Sequence, residues 1–347
     1  MKKTWAFFLP VLMILFFLFI FIFNHKETRS NPILTLKGSN IISIHLGDKY
    51  IEPGYRAYDP KDGDITDKVV IFKNMDFSKV GTYEIIYKVK NSSGVLAVKH
   101  RFVKVVSSPY YKDDYDKIDN TKRGWWANNN MDKARPSGGA DINELKKYNA
   151  YYIGPDDKVI YLTFDEGTLD TYVKEIVDVL DKNDVKATFF LCYKFMVSNK
   201  DLIKNMVKNG HLIGNHTVNH YSMPSLANKE SFSQYLYEVE KVEDGYYEIT
   251  HKKMEKIYRD PRGEWSFRDL QIMKDLGYKS YFYSAYYMDF GEDVSKEYAL
   301  NELEKRYHNG AIYLIHPKNK GNYLALNSFI KKMKSLGFRF DLVKNIP

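Results

Sequence analysis

The sequence predicts an α/β protein: an irregular (β/α)7 barrel, preceded by a small all-β sandwich and an amino-terminal membrane-spanning helix. Three observations carry this. Residues Trp5 to Phe23 form an uninterrupted uncharged apolar run, residues 32–106 alternate apolar and polar positions between turn residues, and strand-like and helix-like segments alternate from Val159 to the carboxyl end.

The run "WAFFLPVLMILFFLFIFIF" approaches the roughly 20 residues that a bilayer-spanning helix needs. Lys2 and Lys3 precede it, which favours a cytoplasmic amino terminus. A secretory signal would have a shorter apolar region and a small-residue cleavage site, and no such site stands before His25. Residues 1–30 are therefore expected to be a cytoplasmic stub and an uncleaved anchor, with the rest of the chain on the cell-wall side of the membrane. Cys192 is the single cysteine of the 347 residues, so no intrachain disulfide forms and stability must come from packing. The formal charge of +8 suits the anionic polymers of a wall or lipid headgroups; the anchor argues against nucleic acid as a partner.

Residues 31–107 read as the sandwich. "NIISIHLGD" (40–48), "VVIF" (69–72), "GTYEIIYKVKNSSG" (81–94) and "VLAVKHRFVKVV" (95–106) cluster β-branched and aromatic residues between Gly, Asn and Asp, with no helical period intervening. The stretches "YRAYDPKDGDITDKV" and "GTYEIIYKV" resemble bacterial immunoglobulin-like surface modules. "DPKDGD" (Asp59 to Asp64) reads as a turn, since it lacks the spacing and terminal Glu of a calcium loop. Residues 108–123 are charged and polar and are expected to be a linker.

From Val159, strands are expected at 159–165, 186–192, 212–216, 256–261, 279–285, 311–317 and 338–343. Between them "TYVKEIVDVLDKN", "KDLIKNMVKNG", "SFRDLQIMKDLG" and "NYLALNSFIKKMKSLG" place apolar residues at helical spacing, with Gly or Asn at the ends. Such alternation implies a parallel sheet with right-handed crossovers, either closed into an irregular barrel or left open, and the barrel is the expected form.

The first of these strands, "VIYLTFDE", is apolar along both faces and ends on Asp165 and Glu166. The carboxyl-terminal rim of such a sheet is where ligands bind. His216 and His220 ("HTVNH") fall at and beyond the third strand, Arg259 ("RDPRGE") on the fourth, Asp289 ("SAYYMDF") beyond the fifth and His316 ("LIHP") on the sixth. Two imidazoles four apart can chelate a metal from one helical turn, and an adjoining acid leaves open positions where a bound water is acidified. A free carboxylate can then take the water's proton while a histidine opposite protonates a departing amine. The absence of an H-E-x-x-H pattern argues against a zincin protease. The pattern is that of a metal-assisted hydrolase.

"TFDEG", "HTVNH", "RDPRGE", "SAYYMDF" and "LIH" resemble, in order and spacing, the polysaccharide deacetylases of carbohydrate esterase family 4. Arg262, and the extension "GWWANNNMDKARPSGGADINELKKYNAYYIG", are similar to the δ-lactam-type muramic acid deacetylases, so that residues 124–347 fall within the likeness. The resemblance implies Asp165 as general base, His316 as general acid, Arg259 orienting Asp165 and Asp289 orienting His316. It implies His216, His220 and Glu166 as ligands of a divalent metal, Zn2+ first, with Co2+, Mn2+ or Mg2+ as alternatives. The backbone N–H of Arg262 would face the developing oxyanion. Glu166 departs from the second Asp usual in the family, and Tyr283 and Phe290 stand where Trp is common. The expected substrate is N-acetylmuramic acid in peptidoglycan glycan strands, whose lactyl carboxylate the Arg262 guanidinium can bind bidentately. N-acetylglucosamine deacetylation is the alternative reaction, and a non-catalytic wall-binding protein the alternative class.

Overall fold

The computed structural model describes residues 30–46, 49–76, 78–106, 111–128, 132–167 and 171–347. The expected membrane helix lies outside the described residues; among those described, no helix is long and apolar enough to cross a membrane. The chain divides into two compact units, one ending at Ser107 and one spanning Ser108–Pro347.

The first unit is all β. Its strands are β1 (Ile33–Leu36), β2 (Ile41–His45), β3 (Tyr55–Asp59), β4 (Gly63–Asp64), β5 (Val70–Lys73), β6 (Gly81–Lys90) and β7 (Leu96–Val106). They form two sheets, β1-β3-β4 and β2-β7-β6-β5. Period-2 alternation buries Ile85, Tyr87 and Val89 of β6 and Val103 of β7 in one core with Leu34 and Ala57. Strands β1, β3 and β4 were not among those expected: β1 and β4 are short, and β3 carries charge. The "DPKDGD" stretch is a turn, in which Asp59 Oδ1 accepts the backbone N–H groups of Lys61 (2.9 Å) and Asp62 (3.1 Å).

The second unit begins earlier than expected. Residues 111–122 are not a free linker: Tyr111 and Tyr115 are buried against Phe232, and the Tyr115 hydroxyl donates to Asp275 at 2.9 Å. The chain continues through β8 (Arg123–Gly124), α1 (Ile142–Lys147), β9 (Ala150–Tyr151), β10 (Val159–Glu166), α2 (Val173–Lys182), β11 (Thr188–Leu191), α3 (Tyr193–Ser198), α4 (Lys200–Lys208) and β12 (Leu212–Asn215). It ends with α5 (Met223–Leu226), α6 (Phe232–Thr250), β13 (Ile257–Tyr258), β14 (Glu264–Trp265), α7 (Phe267–Asp275), β15 (Lys279–Tyr281), α8 (Lys296–Lys305), β16 (Ala311–Ile315), α9 (Lys320–Ser335) and β17 (Arg339–Phe340).

The main sheet is parallel, in the order β16-β10-β11-β12-β13-β15-β9, with β17 pairing the start of β10. The sheet curls, and between its two ends only single bridges form, Ala285 with Tyr313 and Ile153 with Ala311. It is therefore a half-open barrel rather than a continuously hydrogen-bonded one, and β9 is a strand the sequence pattern did not reveal. Alternate residues of β10 face inward: Val159 and Tyr161 pack with Phe190, Leu212, Ile257 and Tyr281, while Ile160, Leu162 and Phe164 pack against the helices. Gly214 on β12 makes room for Phe190, because a Cβ there would stand 2.6 Å from that ring. An alanine at this position would overpack the interior, a change that typically costs about 1–3 kcal/mol.

Candidate active site

The carboxyl ends of the parallel strands surround a cleft of about 570 Å3. Its walls include Asp165, Glu166, His216, His220, Arg259, Arg262 and His316, and Asp289 lies buried behind His316. All the residues singled out from the sequence thus gather at one rim.

Asp165 follows the inward alternation of β10. Its Oδ1 accepts Arg259 Nη1–H at 2.7 Å. Arg259 is itself immobilised: Nη1 also donates to Thr163 Oγ1 (2.7 Å), Nε to the Tyr281 carbonyl (2.7 Å) and Nη2 to the Phe282 carbonyl (2.9 Å), and the guanidinium lies over the Phe190 ring. A buried carboxylate and a buried guanidinium are each costly alone; this pairing and the additional acceptors offset the desolvation of both.

His216 directly follows β12. Its Nδ1–H donates to the Arg259 carbonyl at 2.9 Å, which leaves the Nε2 lone pair directed at Asp165, with Oδ2 3.9 Å away. His220 does not share a helical turn with it. Thr217 (φ 68°) and His220 (φ 58°) are both left-handed, and the loop so formed brings the two rings to 4.9 Å at 71°. Burial depresses the pKa of both imidazoles, and His220, lowered further by its neighbour His216, falls to about 4. Both are neutral at physiological pH, as ligation requires.

Three supports of this loop were not recognised in the sequence. Asn215 Oδ1 accepts the Thr217 N–H at 2.9 Å, while its amide donates to the Val239 carbonyl and the Tyr278 hydroxyl. Glu238 accepts the N–H groups of Val218 (3.0 Å) and Asn219 (2.7 Å) and the Asn219 side-chain amide (2.6 Å). A Thr217 hydroxyl accepts the His220 N–H at 3.0 Å and completes the set. A signal existed for Glu238, a charged residue within the apolar stripe Tyr235, Val239 and Val242 of α6.

On the opposite wall His316 follows β16. Its Nδ1–H donates to Asp289 Oδ1 at 2.6 Å, and Asp289 Oδ2 accepts the His316 backbone N–H (2.8 Å) and the Asn322 amide (2.7 Å). Burial works to lower the His316 pKa, but the hydrogen bond and charge of Asp289 outweigh it, so the pKa is raised. Asn322 was also not recognised; it donates to the His316 carbonyl and accepts the Tyr287 hydroxyl.

Arg262 sits at the mouth in the left-handed conformation (φ 63°), followed by Gly263 (φ 63°). Its exposed guanidinium has no hydrogen-bond or ion-pair partner among the described residues. Glu264, two positions on, pairs instead with Lys122 at 3.3 Å.

The donor chemistry of this rim fits a divalent metal through two neutral imidazoles and a neighbouring carboxylate. Glu166 lines the same cleft, but among the described residues no three His, Cys, Asp or Glu side chains already stand in metal-holding geometry.

Residues 153–281 match the family profile described as polysaccharide deacetylase, and residues 34–105 match that of the bacterial surface protein Ig-like domain. An uncharacterised 30.6 kDa protein of Geobacillus stearothermophilus is 37% identical over 226 residues, covering 64% of this chain and 84% of its own length. The peptidoglycan-N-acetylmuramic acid deacetylase PdaA of Bacillus subtilis is 35% identical over 233 residues, 66% of this chain and 87% of its own. The solved structure of Bacillus subtilis PdaA, described as a family 4 carbohydrate esterase, aligns at 34% identity with a TM-score of 0.62, covering 66% of this chain and 98% of that one.

Proposed function

Because this chain belongs to the polysaccharide deacetylase family, a family of hydrolases, we propose that its second unit removes the N-acetyl group of N-acetylmuramic acid in peptidoglycan glycan strands. The product carries a free amine beside a lactyl carboxyl, the precursor of a muramic δ-lactam. The observation that carries the reading is the facing pair of oriented groups, Asp165 held by Arg259 and His316 held by Asp289, in one cleft with an unpartnered Arg262.

His216 and His220, with Glu166, would hold a divalent metal, Zn2+ first; when bound, it supplies Lewis acidity that polarises the acetyl carbonyl and acidifies water. Asp165, kept in place by Arg259, takes a proton from the attacking water as its oxygen bonds to the acetyl carbon. The developing negative oxygen is met by the backbone N–H of Arg262, a contribution commonly worth about 3–4 kcal/mol. His316, whose protonated form Asp289 favours by raising its pKa, gives its Nε2 proton to the nitrogen as the C–N bond breaks. The proton count closes: amide and water yield acetic acid and amine.

The muramic preference is supported by Arg262 and by the likeness to a chain named for that activity. The guanidinium fork matches a lactyl carboxylate freed of its stem peptide. The apolar run from Trp5 to Phe23 further supports a single-pass membrane anchor with the second unit on the wall side. The test is acetate release by the full chain with zinc, on glycan strands stripped of stem peptides and on chitin oligomers, with products resolved by mass. Loss of one acetyl at muramic acid is expected. Loss at glucosamine alone would overturn the substrate, and no release from either would leave a wall-binding protein.

A further inference from the structure

Directly behind the turn that carries Arg262 lie two carboxyl groups that the reaction above does not use. Asp260 and Asp269 are each at most 1% exposed. Asp260 Oδ1 accepts the Tyr258 hydroxyl at 3.0 Å, and Asp269 Oδ1 accepts the Tyr235 hydroxyl. Each Oδ2 is buried with no donor to satisfy it, and the two side chains lie close enough to act on one another. Two carboxylates so placed can form a hydrogen bond only if a proton lies between them.

The groups facing the pair from its neighbours are Tyr258 of β13, Tyr235 of α6 and, beyond it, Tyr115. Among the described residues no Lys, Arg or His pairs with either carboxyl. Burial raises both carboxyls above the ordinary carboxylate range; Asp269 raises Asp260 further, whereas the contacts with Asp260 and Tyr235 lower Asp269, so Asp260 is raised furthest.

The two acids tie together parts that must stay in register. Asp260 is the residue before Pro261, and its carbonyl accepts the Gly263 N–H at 3.3 Å, closing the turn in which Arg262 is left-handed. Asp269 stands in the first turn of α7, where its own N–H donates to the Ser266 capping hydroxyl at 3.0 Å. We propose that Asp260 and Asp269 share one proton and act as positioning residues, fixing the Pro261–Gly263 turn, and with it the Arg262 N–H, on the rigid start of α7. For its kinetic consequence this rests on the deacetylase reading; for its thermodynamic consequence it does not.

The thermodynamic consequence has a definite sign. A carboxyl whose folded pKa is raised stabilises the fold fully below its unfolded value, near pH 4, and progressively less as pH rises toward the folded value. Wild type therefore loses about tenfold in its folding equilibrium per pH unit across that window relative to a variant without the shared proton. Asp269→Asn is that variant, because its amide can donate to Asp260 without one. Denaturant unfolding of the full chain, followed by tryptophan fluorescence from pH 4 upward, should show the Asp269→Asn variant gaining on wild type as pH rises, by up to about tenfold per unit. A difference that is flat with pH overturns the shared proton, whether or not the protein deacetylates anything.

The positioning role is read from kinetics. Asp269→Ala, which suits a helix but cannot reach Asp260, should lower kcat for acetate release about tenfold with little change in KM, and Asp269→Asn should retain most of the wild-type rate. Equal kcat for the two variants, with both folded, would show that the pair does not position the turn. Absence of activity in wild type as well would instead refute the deacetylase reading and leave the unfolding result standing.

Discussion

Asp289→Asn is the change whose effect the geometry constrains most tightly. Asn is nearly isosteric, and its oxygen can still accept the His316 and Asn322 N–H groups that Asp289 Oδ2 now accepts at 2.8 and 2.7 Å. What disappears is the charge 2.6 Å from His316 Nδ1, on a group whose side chain is fully buried. A hydrogen bond to a charged partner contributes about 1.5–3 kcal/mol. With 1.36 kcal/mol per unit, the His316 pKa should fall by about one to two units. Its side chain is 27% exposed, so solvent screening puts the lower half of that range first. The sign follows from the opposing causes: burial alone lowers this pKa, and Asp289 is what raises it. Above both values, the protonated fraction of His316 drops about 10- to 100-fold, so the alkaline limb of kcat should move to lower pH by about one to two units. The asparagine NH2 would also face Nδ1 and place the neutral ring's proton on Nε2, disfavouring the working tautomer. Acetate release measured from pH 5 to 9 under saturating substrate checks this. An alkaline limb that stays in place in a folded variant would refute His316 as the acid and Asp289 as its orienter.

Asp165→Asn should abolish acetate release, by at least the roughly 10²–10⁴-fold attributed to a general base, while leaving the protein folded because Arg259 keeps Thr163, Tyr281 and Phe282 as acceptors. An unchanged rate would remove Asp165 from the mechanism. Arg262→Tyr should depress turnover selectively on glycans with free lactyl groups, and equal losses on glucosamine oligomers would discard its proposed part in recognition. Glu238→Gln should weaken zinc binding about 10- to 100-fold by loosening the loop it holds at Val218 and Asn219, measured by competition with a chelating dye. Unaltered affinity would show that His220 needs no such support.

The rim was legible because its chemistry interrupts apolar strands at their ends. A buried parallel strand tolerates no charge along its length, so Asp165 after "VIYLTF" and His316 after "AIYLI" are conspicuous. The sheet's weaker members were less legible. β9, two residues long, is too short to express a period and was missed, while β13 and β17 lie where strands were expected but keep only two residues each in the sheet. The His216–His220 spacing suggested a helical turn since i and i+4 meet on a helix, but two left-handed residues bring the rings together by another path. Residues 108–123 looked like a linker because charge dominates their composition; what docks the described part, from Tyr111 on, is the rings of Tyr111 and Tyr115.

The supporting shell was hidden for a different reason. Asn215, Glu238, Asn322, Asp260 and Asp269 are polar residues whose roles depend on partners as far as 63 positions away or, for the last two, on each other. Sequence pattern reports which face of an element is apolar, and a buried polar residue registers there only as an exception. Once the fold is given, each exception must be accounted for, because a buried polar atom without a partner costs about 1–3 kcal/mol. In this site the accounting leads inward from the cleft. Asp289 requires Asn322, the left-handed histidine loop requires Glu238 and Asn215, and two carboxyls in contact require a proton. The positions of the groups that line the cleft are thus set by residues packed behind them, so, on the proposed reaction, conservative changes in this shell should alter kcat and pH dependence before they alter KM.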